Sequence, residues 1–193
     1  FFCLFTAQIV FLKMDDNFSS RVKDVITYSK EEALRLGHDF IGTEHLLLGI
    51  LRDGGGKAIS ILNSLEIDLN YLRKKVEILS PPNPINDFNQ NHKKNLHLTR
   101  QAERALKTTF LEAKLFQGKS INTAHLLLCI LRNENDPTTK LLIKLQIDYE
   151  SVKEQFKYMI TENDENFSGI PSSETFPDDS KEDEEEPIEE NPF

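Results

Sequence analysis

The chain has 193 residues, two cysteines, no tryptophan and a formal net charge of −9. Two cysteines cannot build a disulfide framework, which fits a reducing cytosol. The thirteen acids and single lysine after Thr161 account for the whole negative balance and leave about +3 on the residues before it, which argues against nucleic acid as a partner of the whole chain.

Phe1 to Leu12 is mostly apolar, yet it falls short of the roughly 20 residues of a bilayer span. It also lacks the initiator Met and basic start of a signal peptide. Met14–Asp15–Asp16–Asn17 reads as a natural beginning, so residues 1–13 are read as an upstream, non-native extension. Ser19 or Ser20 then caps a first helix carrying Val22, Val25, Ile26, Ala33 and Leu34 at near-helical spacing, and Gly37 ends it. Thr43 is the expected cap of a second helix, Glu44 to Leu51, apolar almost all round and therefore buried. After Gly54–Gly55–Gly56, a third helix is expected from about Lys57 to Leu65, and Asp68 caps a fourth that runs to about Leu79.

The same signals then return about 80 residues later. Thr43–Glu44–His45–Leu46–Leu47–Leu48–Gly49–Ile50–Leu51–Arg52 falls on Thr123–Ala124–His125–Leu126–Leu127–Leu128–Cys129–Ile130–Leu131–Arg132. Glu32–Ala33 meets Glu112–Ala113, and Ile67–Asp68 meets Ile147–Asp148, without a gap. In the second copy Thr99 caps one helix with Gly118 after it, Thr123 caps the buried one, Asp136–Pro137 starts the third and Asp148 the fourth. The expected fold is all-α: two tandem pseudo-symmetric four-helix repeats, 18–79 and 98–160, joined by a loop at 80–97 and packed into one globular domain over residues 14–160. No strand pattern is legible. Residues 161–193, rich in Glu, Asp, Pro and Ser, read as a disordered acidic linker.

Few motifs carry chemistry. Asp53–Gly54–Gly55–Gly56–Lys57–Ala58 resembles a phosphate loop at a glance, but Leu51 stands where the first Gly belongs and Ala58 where Ser or Thr must hold magnesium. It reads as a turn between helices. His45 and His125 occupy equal places and read as hydrogen-bonded helix-interior histidines, without metal ligands or a nucleophile at the right spacing. His92 and His97 are expected to face water. Neither catalytic nor metal-binding residues are assigned.

Ile41 to Arg52 is the signature at which a family emerges, supported by Phe18–Ser19–Ser20–Arg21–Val22, Glu31 to His38, and Leu65–Glu66–Ile67–Asp68. Over residues 15–160 the chain resembles the duplicated N-terminal domain of the Clp/Hsp100 AAA+ unfoldases, and ClpC among them. The resemblance implies a receiver of protein substrates and adaptors, fused by a linker to ATPase rings and through them to a ClpP-type peptidase. ATP and magnesium would belong only to those ATPase modules, whose Walker motifs are not found here, and the isolated domain would be monomeric. It further implies a pocket for phosphorylated arginine in each repeat: Ser19, Ser20 and Glu44 in the first, where a helix start meets the phosphate and a carboxylate the guanidinium. The matching positions in the second are Thr99 and Ala124, where the missing carboxylate weakens the pocket. A free-standing regulatory or scaffold protein without a motor is the alternative.

Overall fold

The computed structural model describes residues 18–83, 96–116 and 120–167. The N-terminal extension, most of the 80–97 loop with His92, Gly118, and the acidic segment from 168 onward lie outside the described residues.

Among the described residues, eight helices follow the expected order. Helix α1, Ser20–Arg35, starts at Ser19, whose hydroxyl accepts from the Val22 amide at 3.4 Å. It ends as the chain passes through Gly37 at φ +71°, a left-handed conformation that costs glycine nothing. Helices α2 (Thr43–Asp53), α3 (Gly56–Ser64) and α4 (Leu69–Leu79) complete the first repeat. The second holds α5 (Arg100–Leu115), α6 (Thr123–Leu131), α7 (Pro137–Lys144) and α8 (Tyr149–Phe167). The caps at Asp68, Thr99, Asp136 and Asp148 form as read, each side chain accepting from amides of its own first turn. The last helix runs to Phe167, past the expected end near residue 160, because extending a formed helix needs no new nucleus.

The two repeats share one core. Leu46, Leu47, Leu48 and Ile50 of α2 and Leu126, Leu127, Leu128 and Ile130 of α6 are fully buried in the same cluster. Around that centre α1 packs on α2 and α5 on α6, while α3 reaches across to α6 and α4 to α7.

Two features depart from the sequence reading. First, short parallel pairings exist where no strand was legible. Strand β1, Phe40–Ile41, pairs with β2, His97–Leu98, and Phe18 forms a bridge with Ile121. The pairings are related by the repeat, since Thr99 N donates to Ile41 O and Ser19 N to Ile121 O, both at 2.9 Å. Two residues are too few to show alternation. Second, the buried helices are capped one residue earlier than expected, at Gly42 and Asn122. Thr43 and Thr123 sit inside the first turn and reach into the other repeat. Thr43 Oγ1 donates to Asp136 Oδ2 at 2.8 Å, and Thr123 Oγ1 accepts from Ala58 N at 3.1 Å.

The repeated acid also has a purpose. Glu32 is buried yet bound by Arg35 (2.8 Å), Arg73 (2.9 Å) and Arg52 (3.3 Å) from three helices. Burial pushes its pKa up, but Arg35 and Arg73 outweigh it and hold the carboxyl below its usual range. Glu112 repeats the arrangement with Arg132 at 2.7 Å and the Tyr149 hydroxyl at 3.2 Å.

Candidate functional site

Glu44 lies in a cleft of about 550 Å³ between the repeats, lined by His38, Phe40, Ser80, Pro81 and, from the other repeat, Pro137 and Thr138. It is the second residue of α2 and folds back over Gly42, where any Cβ would collide with its carboxylate. Burial raises its pKa, with its own backbone amide opposing and Asp136 adding a like charge. The one basic group within ion-pair distance among the described residues is His45, at 3.3 Å. Burial, aided by His38, holds the His45 pKa down to about 4, so that ring is neutral at pH 7. Glu44 is therefore a half-buried carboxylate facing a cleft that holds no lysine or arginine among its described lining residues.

The cleft wall is ordered by a chain of hydrogen bonds whose proton positions follow from one another. The Gly42 amide donates to His45 Nδ1 at 2.9 Å, which places the ring proton on Nε2. That proton is donated to His38 Nδ1 at 2.9 Å, and His38 Nε2 donates in turn to Pro81 O at 3.1 Å. His38 also stacks on Phe40, with centroids 5.3 Å apart and planes within 6°. Phe40 and the helix start thus hold two rings at the mouth of the site.

The equivalent place in the second repeat is built differently. The Asn122 amide donates to His125 Nδ1 at 3.1 Å, as Gly42 does to His45. Beyond that the likeness ends, for His125 Nε2 is buried and has no partner among the described residues. Phe116 and Phe156 pack on the ring at 5.9 and 5.1 Å, where the first repeat has Leu36 and Val76. Burial, joined by the charge of Lys57, lowers the His125 pKa to about 4.

The architecture and the signature have counterparts among known proteins. The family model for the Clp repeat N-terminal domain matches residues 17–146. The chain belongs to this family. It is 35% identical over 143 residues to the probable ATP-dependent Clp protease ATP-binding subunit of Chlamydia pneumoniae, covering 74% of this chain and 16% of that protein. It is 30% identical over 151 residues to the negative regulator of genetic competence ClpC/MecB of Bacillus subtilis, covering 78% and 18%. Among solved structures, the complex of the ClpV N-domain with a VipB peptide superposes with a TM-score of 0.58 at 12% identity, covering 75% of this chain and 87% of that one. The chain spans less than a fifth of the length of these curated relatives.

Within this Clp domain the residues singled out by resemblance are distributed in an unforeseen way. Ser19 and Ser20 do not line the cleft that holds Glu44, and neither does Thr99. The backbone hydrogen bonds carry Ser19 to Ile121, three residues before Ala124, and Thr99 to Ile41, three residues before Glu44. Each helix start therefore lies alongside the signature of the other repeat. The helix start that faces Glu44 is that of α7, at Pro137 and Thr138. Ala124 is fully buried and offers no acid. His38, Phe40 and Ser80 were not singled out. The one usable signal for His38 was its place in the run Glu31–His38, and the proline-rich start of the loop hid Ser80. Among the described residues no group of three or more His, Cys, Asp or Glu could hold a metal, and no helix is long and apolar enough to cross a membrane.

Proposed function

We propose that this domain docks protein substrates or adaptors for a ClpC-like unfoldase, and that the Glu44 cleft reads an arginine-type side chain in them. The observation that supports this is the half-buried Glu44 carboxylate, which has no charged partner among the described residues at neutral pH. A guanidinium offers paired donors that match a carboxylate, and partial desolvation strengthens that bond. Phosphoarginine, the ligand implied by the resemblance, carries the same fork. The complex of a ClpV N-domain with a VipB peptide supports docking of a protein segment on this fold. In this reading the domain itself is a receiver without catalytic residues or cofactor, ATP and magnesium belong to ATPase modules of a longer chain, and a ClpP-type peptidase acts downstream.

Calorimetry with two peptides, one carrying arginine and one phosphoarginine, tests the assignment on the wild type and on Glu44→Ala. Loss of a charge-assisted pair is expected to weaken binding at least tenfold, on the order of 1.5–3 kcal/mol. Equal affinity in the two proteins removes Glu44 from the site, and no binding of either peptide removes the arginine reading. Because the Glu44 pKa is raised, affinity is also expected to grow as pH rises through it and the carboxylate ionises.

A further inference from the structure

The cleft around Glu44 is rich in acceptors. Asp136 stands close to Glu44: its Oδ2 accepts the hydroxyl of the neighbouring Thr43 at 2.8 Å, and its charge adds to the burial that raises the Glu44 pKa. Asp136 is almost fully buried, so salt screens little of that charge. Two carboxylates thus set the sign of the field here, and no lysine or arginine among the described lining residues offsets them.

Donors are scarce in the same place. Pro81, Pro82 and Pro137 line the cleft and have no N–H. The start of α7, which faces Glu44, is already spent: the Thr138 amide donates to Asp136 Oδ2 at 3.1 Å. Thr43 gives its one hydroxyl hydrogen to Asp136, so in the 3.0 Å contact between the two hydroxyls Thr138 is the donor. His38 uses both ring nitrogens, accepting from His45 and donating to Pro81 O, an arrangement open only to the neutral ring. The backbone amides of Ser80 and Asn83 go to Val76 O and Leu36 O, at 3.1 and 2.8 Å.

These acceptors suit a bare guanidinium, which only donates. They oppose its phosphorylated form, because a phosphoryl group brings oxygens that must be given donors and reverses the net sign of the side chain. We propose that the Glu44 cleft takes unmodified arginine and rejects phosphoarginine, with Asp136 and the prolines of the lining as the discriminating residues. The proposal rests on the arginine assignment of Glu44 and narrows it. An anion placed among carboxylates and left without donors is penalised as the wrong ligand, and this cleft thereby parts from the pocket that the family resemblance implies.

The test uses the full chain and one peptide sequence made with arginine and with phosphoarginine, compared by calorimetry at neutral pH. The arginine peptide is expected to bind about tenfold more tightly or better, the scale of one charge-assisted bond gained or lost. Leu79→Lys then places a cation in the lining, at the partly exposed last residue of α4, and Pro82→Lys does so at an exposed position outside the helix. Each is expected to weaken the arginine peptide, strengthen the phosphoarginine peptide and narrow the preference about tenfold. Equal or tighter binding of phosphoarginine by the wild-type chain overturns the proposal and leaves the Glu44→Ala result standing. A preference that both lysine variants leave unchanged also overturns it, because charge is then not its cause. Failure of both peptides to bind removes the arginine assignment itself, and the proposal with it.

Discussion

His45 and His125 are the residues on which the domain depends most for its behaviour with pH. Each accepts its helix-cap amide at Nδ1 and is fully buried, and each has a pKa lowered to about 4. In the unfolded chain both titrate near 6.5. Between those values the unfolded state binds more protons, so stability is complete above pH 6.5 and falls as pH drops toward 4. The loss is on the order of a few kcal/mol per ring, a large part of a domain's total. Urea midpoints measured from pH 7.5 to 4 should fall steeply over that window, and His45→Asn should flatten the curve. Histidine at this position was legible from the repeat, because both copies keep it before the triple leucine. Its two different outer partners were not, since a sequence does not say which residue stands opposite a ring nitrogen. The same limit concealed the pairing of Glu44 with α7: the resemblance grouped it with Ser19, which lies near it in neither chain nor cleft.

At the level of helices, starts and ends were the most legible features. Ser19, Asp68, Thr99, Asp136 and Asp148 all act on their own first turns, and this is local chemistry. Thr43 and Thr123 look the same in sequence but are spent on the opposite repeat, because Gly42 and Asn122 already occupy the caps. The consequence is unequal. Asp136 caps α7 with or without Thr43, whereas α3 begins at Gly55 and receives its side-chain oxygen from Thr123. Thr123→Ala should therefore cost about 1–2 kcal/mol in denaturant unfolding. Its amide-exchange signature should fall in α3 of the first repeat, although the substitution lies in the second. A loss of protection confined to α6 would contradict this assignment.

For the whole molecule, the shared core predicts that the repeats unfold together. Phe156 in the last helix is almost fully buried in the cluster that holds Leu46 and Leu62. Phe156→Ala should cost about 3–5 kcal/mol. Native-state hydrogen exchange should show α1 to α4 losing protection by the same amount as α5 to α8; protection lost only in the second half would mean two independent units. That the chain is one helical globule could be read from the periodicity and the duplication. How the halves interlock could not, because contacts between residues a hundred apart leave no local trace.

The crossed pairings also bear on how such a fold can arise and persist. Leu98 lies on Ile41 as Phe18 lies on Ile121, so each half meets the other through the same patch. In a pair of separate chains this would be an isologous, two-fold interface. A gene encoding one repeat alone would thus yield a subunit whose natural partner is itself, dependent on concentration for its folding. Tandem fusion removes that dependence by holding the halves at an effective concentration in the millimolar range. It also frees the copies from identity. A homodimer must carry the same side chain at both equivalent sites, whereas a fused pair can keep Glu44 on one side and Ala124 on the other.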